Sequence, residues 1–175
     1  MIRVALLMGI NVGGAGKLPM AEFREMLTGL GLEGARTYIQ SGNAVFRSDL
    51  PDAELAPMIR DGIAARFGFA PEVFLRSADQ MALALDTPFA DQPGNMVHGF
   101  FLAEAAPQVN HAVLDRWISP TERWHLGPGI FYLHHPEGIG RSKLAARLDK
   151  VIACGMTARN LRTVAALVEM TRTVS

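Results

Sequence analysis

Hydrophobic and polar positions in the first 75 residues switch between strand-like and helix-like periods. Residues 2–8 form an apolar run typical of a buried strand, whereas Met20, Phe23 and Leu27 recur at helical spacing. The predicted strands are 2–8, 37–40, 44–47 and 71–75, and the predicted helices are 20–30 and 52–67. This element order, β-α-β-β-α-β, is the ferredoxin-like or split βαβ plan with an antiparallel sheet.

The remaining residues repeat most of that pattern. A capping-box sequence at residues 77–80 predicts the start of a helix. The predicted strands are 96–103, 122–126 and 130–134, and the predicted helices are 107–118, 142–154 and a last helix that Thr157 would cap. We therefore expect an α+β protein of two ferredoxin-like halves, residues 1–75 and 76–175, that form one compact body, with an extra C-terminal helix in the second half.

Composition narrows the class of protein. The hydrophobic fraction of 49% and the charged fraction of 19% are typical of a globular chain. The 17 basic and 17 acidic residues give no net charge, which argues against a dedicated nucleic-acid binder. The single cysteine, Cys154, excludes an intramolecular disulfide and thiolate-rich metal sites. Because no segment resembles a signal peptide or a membrane span, we expect a cytoplasmic protein.

A glycine-rich loop, residues 9–20, follows the first strand and precedes the first helix. Loops of this kind present backbone N–H groups beside a helix N-terminus, which is a common way to bind an anion. The loop is not a Walker motif, because Asn11 occupies the position of the required glycine and Leu18 replaces the Ser or Thr that would follow Lys17. The alternative is a tight turn in which Asn11 and the glycines adopt positive φ.

Three further polar motifs follow along the chain: residues 41–43, residues 142–143 and residues 159–160. The structural alternatives for these three motifs are, in the same order, a hairpin turn, a helix cap and a surface ion pair. We expect these motifs and the glycine loop to bind a small phosphate- or carboxylate-bearing ligand in a cleft between the halves. The candidate ligand-binding residues are Asn11, Gly13, Gly14, Lys17, Ser41, Gly42, Asn43, Ser142, Lys143, Arg159 and Asn160.

Catalytic patterns are absent from the sequence. The five histidines lack metal-ligand spacing, and no serine lies in a nucleophile elbow. We therefore expect no metal site and no cofactor, and the sequence leaves open whether the protein is an enzyme. Two other interpretations remain: a nucleic-acid or protein interaction module that uses the sheet, and a set of purely structural turns and caps.

Four segments together resemble the domain-of-unknown-function 1697 family. The matching segments are 9–14, 37–43, 142–144 and 157–160 with 163–164, and the resemblance covers essentially the whole chain. It implies a cytoplasmic bacterial protein of two ferredoxin-like halves, and it implies no activity. The chain departs from the family pattern at Met8, where members commonly have arginine, and at Leu161 and Arg162, where tryptophan and asparagine are frequent.

Overall fold

Two four-stranded antiparallel sheets with the same strand topology dominate the computed structural model, which describes residues 1–174. One compact unit comprises Met1–Leu83 together with the residues from Ala165 onward, and the other comprises Ala84–Val164. The predicted α+β class with two antiparallel sheets is therefore confirmed. The boundary between the two predicted halves, after residue 75, was derived from the order of the elements and stays a prediction.

The first unit contains the sheet β2-β3-β1-β4. Its strands are β1 (Ile2–Leu7), β2 (Glu33–Tyr38), β3 (Asn43–Arg47) and β4 (Val73–Ser77), and its helices are α1 (Met20–Gly29), α2 (Asp52–Phe67) and α3 (Ala78–Leu83). Apolar side chains on one face of the sheet, such as Leu7 and Phe46, share a buried core with Phe23 of α1 and Ile59 of α2. Burial of this apolar surface is the main force that holds the helices on the sheet.

Local signals set several element ends. Gly68 ends α2 in the left-handed conformation, with φ 80°, and its N–H donates to the carbonyl of Ala64. The predicted capping box is present, since Ser77 N–H donates to Gln80 Oε1 at 2.9 Å and Gln80 N–H donates to Ser77 Oγ at 3.1 Å.

The second unit contains the sheet β6-β7-β5-β8. Its strands are β5 (Val97–Leu102), β6 (Arg123–Gly127), β7 (Ile130–His134) and β8 (Met156–Asn160), and its helices are α4 (His111–Trp117) and α5 (Leu148–Val151). The last helix, α6 (Leu161–Thr171), follows β8 directly. In both sheets the spatial order is second, third, first and fourth strand, so the element order of the first sheet is repeated in full.

Two predictions for the C-terminal region were wrong. Residues 156–160, where Thr157 was expected to cap a helix, form β8, which pairs with β5 from His98 to Leu102. The cap of α6 is Asn160, whose Oδ1 accepts the N–H of Thr163 at 2.9 Å. The continuous helix predicted over 142–154 is instead a 3₁₀ turn at Ala145–Arg147 followed by the single-turn α5.

The strand β2 is longer than predicted and begins at Glu33 rather than Thr37. It is an edge strand with mostly exposed or half-buried side chains, so its hydrophobic alternation is weak. A bulge between Glu33 and Arg36, where Gly34 has φ 60°, interrupts its pairing with β3.

Candidate functional site

One end of the second sheet has polar side chains on the face that otherwise forms the core. Phe100 of β5 and Leu133 of β7 lie on this face and pack with Leu114 of α4 and Val151 of α5. Because side chains alternate along a strand, His98, Glu122 and His135 continue the same face. The apolar core therefore gives way to polar groups where the sheet ends.

A pocket of about 400 Å³ lies at this end of the second unit. It is bounded by the last turn of α4, by the segment that leads into β6, and by the connection that follows β7. The side chains that line it include Arg116, Trp117, Ile118, Pro120, Glu122, His135, Glu137, Arg141, Ser142 and Lys143. We call it the α4–β7 pocket. The predicted candidates Ser142 and Lys143 belong to it.

The buried side chains of the α4–β7 pocket are held by hydrogen bonds within the protein. Glu122 Oε1 accepts the N–H of Ser119 at 2.9 Å, and Glu122 Oε2 accepts the hydroxyl proton of Ser142. The Ser142 hydroxyl oxygen in turn accepts the N–H of Ala145 at 3.0 Å. Ser142 therefore caps the following turn, as the structural interpretation of its motif expected, and it also fixes one carboxylate oxygen of Glu122.

Two histidine side chains lie beside Glu122, of which His135 is buried and His98 is partly buried. His98 Nδ1 and His135 Nε2 are 2.7 Å apart, so one nitrogen donates a hydrogen bond to the other. Burial, together with the charge that His135 would carry, lowers the pKa of His98 to about 4. Burial also lowers the pKa of His135, although a hydrogen bond with its own backbone and the negative charge of Glu122 oppose that change. At neutral pH both imidazoles are therefore uncharged.

Three exposed cations, Arg116, Arg141 and Lys143, line the α4–β7 pocket. No carboxylate of residues 1–174 forms an ion pair with any of them. Two acidic side chains, Glu122 and Glu137, also line the pocket. Three positive charges against two negative ones leave an excess of one positive charge around it.

The indole of Trp117 forms part of the pocket wall and is held by stacked guanidinium groups. The guanidinium carbon of Arg147 lies 3.9 Å from the centre of the ring, and that of Arg116 lies 5.3 Å from it. Contacts of this kind stabilise a half-buried aromatic side chain in one orientation.

The glycine loop of the first unit folds as a small closed turn. Val12 and Ala15 exchange backbone hydrogen bonds around Gly13 and Gly14, whose φ angles are 57° and 79°. Asn11, at φ 52°, donates from Nδ2 to the carbonyls of Leu18 and Gln40, and its Oδ1 accepts the N–H of Leu18. These contacts fit the turn interpretation, and the side chain of Lys17 is exposed.

The structure brings the turn at residues 41–43 against this loop. Asn43 is fully buried and donates to Tyr38 O at 3.0 Å and to Ser41 Oγ at 2.8 Å. The carbonyl of Gly42 accepts the N–H of Leu7, and a Cβ at Gly42 would lie only 2.4 Å from Cδ1 of Ile10. The first two predicted motifs therefore lie together in the first unit, and their ligand role stays a prediction.

Arg159 and Asn160 lie on β8 and are not among the residues that line the α4–β7 pocket. Arg159 is buried, and its guanidinium donates to Thr157 Oγ1 at 2.8 Å and to Ala158 O at 2.7 Å. Burial lowers its pKa to about 10, so it remains charged at neutral pH. The alternative for Arg159 was a surface position, whereas its side chain is buried. The cleft that would unite all four motifs stays a prediction.

Sequence reasoning did not identify Glu122, His98 or His135 as site residues. Ser119 and Glu122 have the S-x-x-E spacing of a capping box, which was the available signal for Glu122. His98 and His135 are 37 residues apart, and only the register of β5 with β7 reveals that they meet. Residues 1–174 contain no cluster of three or more His, Cys, Asp or Glu side chains placed to bind a metal ion.

Comparisons with known proteins identify the family of this chain. Residues 1–132 match the family described as protein of unknown function (DUF1697), a match that ends before Ser142. The chain is similar to a conserved bacterial protein from Streptococcus pneumoniae of solved structure, with 26% identity, a TM-score of 0.76 and 98% of each chain covered. No curated protein matches the chain, and no helix within residues 1–174 has the length and apolar character to cross a membrane. The resemblance predicted from the sequence motifs is confirmed, and the chain belongs to the DUF1697 family.

Proposed function

We propose that this protein binds a small anionic ligand, bearing a phosphate or carboxylate group, in the α4–β7 pocket. The observation that carries the proposal is the set of three cations, Arg116, Arg141 and Lys143, which line the pocket and form no ion pair with any carboxylate of residues 1–174. Hydrogen bonds from such groups to anionic oxygens are stronger than those between neutral groups.

The concave position of these cations distinguishes them from ordinary surface charges. Exposed cations on a convex surface are hydrated from all sides and bind single anions weakly. Around a concave site several cations can contact one ligand at the same time. The volume of the pocket, about 400 Å³, lies within the size range of small-molecule sites.

Buried groups behind the cations are already ordered. Glu122 is fixed by Ser119 and Ser142, and His135 is fixed by His98. A ligand therefore does not have to order these side chains when it binds, which reduces the entropic cost of association.

Calorimetric titration tests the proposal with inorganic phosphate and pyrophosphate as probes. We expect Lys143→Ala to weaken binding by about tenfold, which corresponds to the loss of one charge-assisted hydrogen bond. Lys150→Ala is the matched control, because Lys150 is an exposed lysine of the same unit that does not line the pocket. Equal losses in the two variants, or no binding of either probe to the native protein, would contradict the proposal.

A further inference from the structure

We infer that the ligand of the α4–β7 pocket is an organic anion whose flat apolar part contacts Trp117 while its anionic group lies between Arg141 and Lys143. This inference rests on the proposed function and specifies the chemical class of the ligand. Three features of the pocket support it: the presence of apolar side chains beside its cations, the charge of its buried end, and the fixed orientation of its indole.

The pocket is lined by both apolar and charged side chains. The last turn of α4 and the residues after it supply the apolar Trp117, Ile118 and Pro120 together with Arg116, whereas the connection after β7 supplies Arg141, Lys143 and Glu137. An inorganic anion contacts the cations and leaves the apolar side chains in water. A ligand with both an apolar and an anionic part contacts both kinds of side chain and removes more apolar surface from water.

The buried end of the pocket directs the anionic group outward. Glu122 lies there, only 9% exposed, with its carboxylate held by Ser119 and Ser142. A second anion beside this carboxylate would be repelled, and the effect is strong where water is excluded. The exposed cations Arg141 and Lys143 are therefore the favourable position for the anionic group, and the uncharged part of the ligand lies nearer to Trp117.

The indole of Trp117 is the largest apolar group among the residues that line the pocket. Its stacking with Arg147, at 3.9 Å, holds the ring in place before any ligand arrives. Trp117 is half-buried, and its side chain also contacts the core of the second unit. A rigid aromatic side chain at the edge of a core binds planar apolar groups with little loss of conformational entropy.

Three probes of increasing apolar character test the inference: inorganic phosphate, methyl phosphate and phenyl phosphate, titrated calorimetrically at about pH 8, where each is mainly a dianion. We expect phenyl phosphate to bind about tenfold more tightly than methyl phosphate, because its ring buries more apolar surface. In Trp117→Ala this preference should disappear, and in Trp117→Phe most of it should remain. Lys143→Ala should weaken all three probes without removing the preference.

The outcomes separate the inference from the proposed function. Equal affinities for phenyl and methyl phosphate would overturn the inference and leave anion binding intact. A preference that persists in Trp117→Ala would overturn the role of Trp117. Binding of none of the probes would overturn both proposals. Thermal melts of the variants establish that each is folded, and Trp117→Phe, which keeps an aromatic ring in the core, tests the role of the ring if Trp117→Ala does not fold.

Discussion

His98 Nδ1 and His135 Nε2 face each other at 2.7 Å beneath the α4–β7 pocket. The other ring nitrogen of His135, Nδ1, is buried and has no hydrogen-bond partner among residues 1–174. One of the two facing nitrogens carries a hydrogen and donates it to the other. The pair is therefore a neutral, oriented unit.

This pair predicts a loss of stability in mild acid. The pKa of folded His98 is about 4, below the value of 6.5 for an unperturbed histidine, so the unfolded chain takes up the proton first as the pH falls. The contribution of His98 is complete above pH 6.5 and declines as the pH falls towards 4. We expect this decline to cost on the order of 1–3 kcal/mol, reduced from the full effect of the shift because the side chain is partly exposed.

Urea unfolding at several pH values between 4 and 7.5 measures this effect. His98→Gln removes the titrating group, and we expect its free energy of unfolding to change less with pH than that of the native protein. The control is His111→Gln, because His111 is exposed. If native protein and His98→Gln had the same pH dependence, the histidine pair would not be the origin of acid sensitivity.

The close packing around Gly42 predicts that a side chain at this position would clash with its neighbours, an effect that can be separated from backbone strain. We expect Gly42→Ala to destabilise the first unit by about 2–4 kcal/mol, because its Cβ would lie 2.4 Å from Ile10 Cδ1 and 2.9 Å from Leu7 Cβ. Gly31→Ala is a matched control: its φ of 81° nearly equals the 80° of Gly42, but nothing lies within 4 Å of its Cβ position. It should cost only about 1 kcal/mol.

Chemical denaturation of both variants measures the difference. A smaller loss for Gly42→Ala than for Gly31→Ala would show that the contact between the 41–43 turn and the glycine loop is not tight.

The hydrogen bond between Ser142 and Glu122 predicts that the contributions of these two side chains to stability are coupled. Ser142→Ala removes the hydroxyl that donates to Glu122 Oε2 and leaves that oxygen without this donor near the buried end of the pocket. We expect a loss of about 1–3 kcal/mol. In the Glu122→Gln background the loss should be smaller, because a neutral amide oxygen needs the donor less than a carboxylate does.

A double-mutant cycle from urea unfolding gives the coupling energy directly. Because Ser142 also caps the turn at Ala145, Ser142→Thr serves as the control that keeps the hydroxyl. Additive losses across the cycle would mean that Ser142 acts only as a cap.

Local sequence signals predicted the elements that depend on neighbouring residues. Helix α2 has the predicted bounds, 52–67, because its apolar period and the terminating Gly68 are both local. Strand β8 was missed because Thr157 and Asn160 are residue types that begin helices, and the pairing of β8 with β5 depends on residues about sixty positions away. The hydrophobic pattern of the sequence therefore does not reveal strand register or the pairing of distant segments.

The candidate site shows the same division. Ser142 and Lys143 were recognised from a local motif and do line the pocket, whereas His98 and His135 become a pair only when β5 lies beside β7. Arg159 was recognised as a cation, but its burial follows from the alternation of a strand that had been predicted as a helix start.

The shared strand order of the two sheets allows their connections to be compared directly. The connection between β3 and α2 comprises only residues 48–51. At the start of α2, Asp52 forms an ion pair with Arg3 of β1 at 3.0 Å. The corresponding stretch between β7 and α5 is residues 135–147, and it carries Arg141 and Lys143, two of the three cations that line the pocket. The pocket of the second unit therefore depends on a connection that is longer than its counterpart in the first unit. Relatives in which the connection is as short as residues 48–51 should then keep the fold and lack the pocket.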